Sequence, residues 1–151
     1  AAAATAAAVS AAIDGMTAPD IIEIAHRAAA QAEYQQSGSR SLAEAIRTLH
    51  AELSQWHELR SEKIAARCFP NHPLTIVPLA IALGTVSQSA EAAILLATNI
   101  GGDSDSVASV AGAILGAMRP ETVSDEWYAT VEMVNHHNLV SLGENLSRLR
   151  H

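Results

Sequence analysis

The chain has 151 residues, 49% of them hydrophobic and 17% charged, with a formal net charge of −7. That is one domain's worth of sequence, able to bury roughly 70% of its unfolded surface, and the composition excludes intrinsic disorder. No basic stripe runs along it, which argues against binding in a nucleic-acid groove, and a single cysteine, Cys68, excludes an intrachain disulfide framework and fits a reducing compartment.

Aromatics make up only 3% of the chain and alanine fills much of the apolar share, a composition of closely packed helices rather than sheets. Residues 1–14 form a strong helix stopped by Gly15. They lack the positive region of a signal peptide and are too small-sided to span a bilayer. This start lies inside a helix, without cap or leader, and suggests a piece of something longer. Thr17-Ala18-Pro19-Asp20 reads as a cap, an early proline and an acidic first turn, and the helix it opens sets Ile21, Ile24, Ala25, Ala28 and Ala32 on one face. Ser37-Gly38-Ser39 is a loop.

Ser41 with Glu44 forms a capping box, and Leu42, Ile46, Leu49, Leu53 and Trp56 recur at helical spacing, so that helix is expected to run to about Ala65. Prolines 70 and 73 make the stretch from Cys68 to Pro73 an irregular connector. Thr75 is positioned to cap the next helix, with Pro78 in its first turn. A short helix over residues 89–97 follows, then the turn at Asn99-Ile100-Gly101-Gly102 and a helix of small apolar residues over 103–118, broken by Arg119-Pro120. Two amphipathic helices, from about Ser124 and Asn138, complete an all-α chain with no internal repeat. No apolar stretch is long enough for a membrane span, and the expected location is cytoplasmic.

The chemistry concentrates at Gly101-Gly102-Asp103-Ser104-Asp105-Ser106. With Asp103 at the helix N-cap, Asp105 and Ser106 fall in the first turn and three oxygen ligands converge there. Two carboxylates this close repel each other, and Mg²⁺ or Mn²⁺ would relieve that repulsion with carboxylate, hydroxyl and water oxygens. The paired glycines let the backbone turn sharply and leave room for a ligand. The plain alternative is that these residues only cap the helix. Ala108, Gly112 and Gly116, at four-residue spacing behind the motif, would let that helix wedge against its neighbours, and a buried central helix is a costly place for unneutralised carboxylates.

Other motifs fail on spacing. An EF-hand counted from Asp103 would need oxygen ligands at Val107 and Ile114, and Ser61 stands where a zincin beginning at His57-Glu58 needs its second histidine. His136-His137 reads as a surface or capping pair, Cys68 as a buried small residue, and His72 as a loop histidine.

The run from Ala97 to Ala117, with Asn99-Ile100-Gly101-Gly102-Asp103-Ser104-Asp105-Ser106 at its centre, resembles the C-terminal signature of the ADP-ribosylglycohydrolase family. Residues 75–83 and the alanine-rich opening are similar to segments of the same family, so the resemblance spans the chain while corresponding to the second half of a single family domain. It implies a compact all-α fold with a binuclear magnesium centre. Asp103, Asp105 and Ser106 would be metal ligands, and Asn99, Gly101 and Gly102 would shape the substrate wall. Serine stands where the family has threonine at both Ser104 and Ser106, which keeps the hydroxyl but loosens its rotamer.

The family's first-half threonine-aspartate-aspartate motif, and the acid/base expected with it, have no counterpart here. The resemblance therefore implies a complementary N-terminal half supplied as a separate chain, and hydrolysis of a glycosidic bond at the ribose anomeric carbon of a small ribosyl substrate. The tail from Val134 to Arg150 resembles a bacterial branch linked to nucleoside or sugar metabolism. A non-catalytic helical module that keeps the family fold is the competing expectation.

Overall fold

The structure is a computed structural model that describes residues 1–34, 41–68 and 72–149. Among the described residues there are nine α-helices, one 3₁₀ turn and no strand. The expected loop at Ser37-Gly38-Ser39 and the Phe69-Pro70-Asn71 part of the connector lie outside them.

The first helix, α1 (Ala2–Ile13), ends as Gly15 dictates. Gly15 sits at φ +73°, its amide reaches the Ala12 carbonyl, and the Met16 amide reaches that of Ala11, both at 3.1 Å. This pair of bonds is a Schellman stop, open to glycine because it has no Cβ to clash in the left-handed region. In α2 (Ala18–Tyr34) the buried line is Ile21, Ile22, Ala25 and Ala29. Ile24, Ala28 and Ala32 are half-buried at its edge, so the core face is rotated from the expected one. The helix is wedged between α1 and α3 (Leu42–Ser54), which sets the stripe between its two neighbours.

The Ser41 hydroxyl caps α3 by accepting the Glu44 amide at 3.2 Å. Glu44 does not complete the box. Its carboxylate faces His26 at 3.5 Å, while Glu33 of α2 accepts from the Leu42 amide and, at 3.0 Å, from the Ser41 hydroxyl. Arg47 of α3 pairs with Glu23 of α2, and that hydrogen bond holds the exposed Glu23 carboxyl below its usual range. These side chains clamp α2 to α3.

The third helix stops at Ser54, eleven residues before the expected end at Ala65. The Ser54 hydroxyl bonds back to the His50 carbonyl at 2.7 Å, and the Gln55 and Trp56 amides reach back only three residues, a tightened final turn. The chain then leaves the helical path so that Trp56 and Leu59 pack on the core, and α4 (Ser61–Cys68) begins. Arg67 of α4 meets both carboxylate oxygens of Glu52 of α3 at 3.0 Å.

His72, not Thr75, is the N-cap of α5 (Pro73–Val86); Thr75 is the third helical residue, and its hydroxyl accepts the His72 amide at 3.0 Å. Pro73 takes the first position, so Pro78 is displaced into the helix body, where its ring removes the amide that would reach Leu74. From Pro78 to Gly84 every residue of α5 is buried. A helix that is apolar all round belongs at the centre of a bundle. It packs on α3, on α6 (Ala90–Thr98) and on α7 (Ser104–Met118), and α7 packs in turn on α1 and α6.

The core falls into two clusters that meet on these central helices. Leu53, Ile64, Leu83, Ala97, Val107 and Leu115 belong to one, and Ala8, Ile21, Ala25, Ile46, Ile81 and Ile114 to the other. After the 3₁₀ turn (Pro120–Thr122), α8 (Asp125–Asn135) and α9 (Leu139–Arg148) contribute no buried residue. Leu139, Leu142, Leu146 and Leu149 form an exposed stripe there. No helix among the described residues is long and apolar enough to cross a membrane.

Two central helices cross at Gly84, where an added Cβ would stand 2.9 Å from the Ile114 Cβ. Gly84→Ala is expected to destabilise the fold by about 1–3 kcal/mol through overpacking. Gly143→Ala on α9, where an added Cβ meets nothing within 4 Å, should stabilise by about 0.5–1 kcal/mol. Urea unfolding of the two variants beside the parent checks both signs.

Candidate metal and ligand site

The Asn99–Ser106 segment joins α6 to α7, and local chemistry fixes both ends. Ser89 caps α6 by accepting the Ala92 amide at 3.0 Å. At the other end Asn99 is the C-cap, its side-chain amide donating to the Leu95 carbonyl at 2.7 Å. Ile100 is buried and anchors the turn. Gly101 and Gly102 then adopt φ +85° and +64°, successive left-handed positions that non-glycine L-residues rarely occupy. They reverse the chain so that Asp103 arrives at the N-cap of α7.

Asp103 stands in the capping position without capping, since its side chain makes no bond to the helix backbone. Instead Oδ1 accepts the Ser106 hydroxyl proton at 3.1 Å. In this arrangement Ser106 donates its proton to Asp103 and keeps its lone pairs for another partner. The separation also fits a hard cation: Mg–O distances of 2.0–2.1 Å at right angles place neighbouring ligand oxygens about 2.9 Å apart. Asp105 lies in the first turn and is exposed, as is Asp103, while Ser104 and Ser106 are half-buried.

The expected burial of the two carboxylates is not what the fold shows. The body of α7 is buried through Val107, Ala108, Ala111, Ile114 and Leu115, but its first turn projects into solvent. No desolvation cost therefore demands a counter-ion; mutual repulsion at a positive helix end and the Asp103–Ser106 pairing are what remain. No set of three His, Cys, Asp or Glu side chains that could hold a metal converges among the described residues. The donors at this turn are two carboxylates and one hydroxyl, a set short of the six that magnesium takes.

The wedge read into α7 is real at Gly112, where an added Cβ would meet Ile94 Cδ1 of α6 at 3.0 Å. At Gly116 the nearest atom is Val123 Cγ2 at 3.6 Å, an ordinary contact that does not require glycine. Cys68 is buried at the end of α4, and burial pushes its thiol up, as suits a packing residue. His57 lies in the non-helical segment after α3, so no zincin helix forms there, and His136 and His137 are exposed.

A groove of about 630 Å³ opens between the end of α3, the end of α5 and one face of α6. Asn99 is in its wall, whereas Gly101, Gly102, Asp103, Asp105 and Ser106 are not. Trp56, expected on a helical stripe, lines this groove together with Ser87 and Gln88, which no sequence motif marks. Three separate segments build it, and no local spacing brings them together.

A model of the ADP-ribosylglycohydrolase family matches residues 1–151, the whole chain. The chain belongs to the ADP-ribosylglycohydrolase family, which sets its chemistry among glycosyl hydrolases of that kind. Neither a search of curated proteins nor a search of solved structures returned a match.

A side chain at the N-cap that makes no cap bond contributes little to helix stability. Asp103→Ala is expected to cost less than about 0.5 kcal/mol, against about 1 kcal/mol for Ser89→Ala, whose hydroxyl does bond the backbone. Chemical denaturation without divalent cations, in salt high enough to screen the helix dipole, makes the comparison.

Proposed function

We propose that this chain supplies half of a binuclear magnesium site in a hydrolase that cleaves a glycosidic bond at the ribose anomeric carbon of an ADP-ribosyl or nucleoside-like substrate. The observation that carries the reading is the geometry of Asp103, which occupies the N-cap of α7 yet turns its carboxylate to Ser106 at 3.1 Å rather than to the helix backbone. Asp103, Asp105 and Ser106 would hold the metal, with Mn²⁺ able to replace Mg²⁺ because both accept the same hard oxygen donors. The bound cations would offset charge near the cleaved bond and acidify a water.

The chain's own residues do the rest. Ser106 donates its proton to Asp103, which holds its hydroxyl and leaves its lone pairs available to a ligand. Gly101 and Gly102 present backbone without side chains, which lets a sugar approach the turn closely. Asn99, its amide fixed by the Leu95 carbonyl, orients what lies against the wall beside them. Three oxygens leave half the coordination open, and the reading therefore assigns the other ligands and the acid/base to a complementary N-terminal half present as a separate chain.

Native mass spectrometry of the purified protein, with and without Mg²⁺, tests this. A complex with a second chain that takes up divalent metal supports the proposal. Asp105→Ala should then abolish metal uptake and lower ribosyl hydrolysis by at least a hundredfold, while the thermal midpoint stays within a few degrees. A lone 15.8 kDa species that takes up no metal sinks it, and leaves a helical binding module with the family fold.

A further inference from the structure

The last described helix carries an apolar stripe that the bundle leaves uncovered. Leu139, Leu142, Leu146 and Leu149 follow one another at steps of three, four and three, and are exposed by 38, 52, 57 and 82%. Such steps turn four side chains onto one line, as at the a and d positions of a coiled coil. The other side of α9 carries Glu144 and Arg148, both exposed.

The rest of the chain gives α9 little support. None of its residues is buried, and among the described residues no other helix packs extensively against it. The Leu139 amide donates to the Glu132 carboxylate of α8 at 3.1 Å, which ties down one end only. Ten residues fall short of the roughly 12–15 that a helix needs to hold itself in water, so its stability rests on packing of the apolar face. The described residues do not supply the surface that this face needs.

The stripe itself indicates what covers it. In its register the positions beside the leucines, e and g, are Gly143 and Asn145, and neither is charged. Two copies can close stripe to stripe without like charges facing across the seam, although each carries a net charge of −7. A lipid surface fits poorly. Across α8 and α9, Asp125, Glu126, Glu132 and Glu144 stand against Arg148 alone, the reverse of the basic face that anionic membranes attract.

The area also agrees. A standard interface hides about 800 Å² on each partner, a little over half of it apolar. Four leucines exposed to this degree, with Val131 and Val134 of α8 exposed by 44 and 67% a few residues upstream, provide apolar surface of that order.

We propose that α9 is a self-association element, through which two copies of this chain pair their leucine stripes about a two-fold axis. Each copy presents the same patch to the other, so the contact closes at the dimer.

Sedimentation equilibrium of the full chain in EDTA, over a wide range of protein concentration, is the test. The mass should rise from 15.8 kDa towards twice that value. The double variant Leu142→Glu, Leu146→Glu should weaken the dimer about a hundredfold or more. Its thermal midpoint should match that of the dilute, monomeric parent, because neither leucine is buried. Val140→Glu, at a position exposed by 56% outside the stripe, should dimerise like the parent. A mass that stays at 15.8 kDa throughout, a dimer that the double variant leaves intact, or one that Val140→Glu weakens equally overturns the proposal. Co-sedimentation of a monomeric parent with phosphatidylserine vesicles, lost in the double variant, also overturns it and assigns the stripe to a membrane. Because EDTA removes the cations, none of these results bears on the metal site.

Discussion

The arrangement depends on the contact between α5 and α7, where Gly84 faces Ile114 so closely that a single methyl group would meet the isoleucine Cβ at 2.9 Å. Backbones at that distance exclude side chains between them, so the two helices pack as one unit with both core clusters gathered on it. Gly112 against Ile94 repeats the device between α7 and α6. A helix held this tightly along its body has a fixed first turn, so packing places the backbone that carries Asp103 and Ser106. Small residues achieve here what aromatic bulk does in other cores, which is why so few aromatic residues suffice.

Electrostatics set a different limit at the same turn. The carboxylates of Asp103 and Asp105 are solvated, and solvated like charges repel weakly enough to be tolerated without a counter-ion. The geometry is thus compatible with an empty site, which a buried pair would not be. Under the proposed function, exposure of this half-set would defer its desolvation until a second chain completes the site.

Much of this was legible in the sequence, and the failures have physical causes. Gly15 announces its Schellman stop and Ser41 its cap, since those signals act within four residues; the starts expected near Ser89 and Ser124 prove to be caps as well. The early end of α3 carries no such signal. Gln55-Trp56-His57-Glu58 contains no breaker, and the helix yields there because Trp56 and Leu59 pack on the core, a tertiary preference that overrides propensity. The misplacement of Pro78 has a similar origin, because Pro73 already fills the first-turn position that both prolines suit. The position of Asp103 at the start of α7 is legible in the sequence, but the solvation of its turn is not, since exposure belongs to the fold. The groove was invisible for the same reason: Trp56, Ser87 and Asn99 come from three elements.

The serines of the motif show how the fold compensates for a looser side chain. Threonine has a branched Cβ that restricts its rotamer, and serine at 106 gives up that restriction. In the structure the Ser106 hydroxyl is held by Asp103 Oδ1 instead, so a hydrogen bond supplies the orientation that a methyl group would have imposed. Asp103 consequently has two connected roles in the proposed site, as a ligand and as the positioner of a second ligand. Removing it would release Ser106 as well, whereas removing Asp105 would take away one carboxylate and leave the Asp103–Ser106 pair in place. The two aspartates, alike in sequence, are unequal in what the turn asks of them.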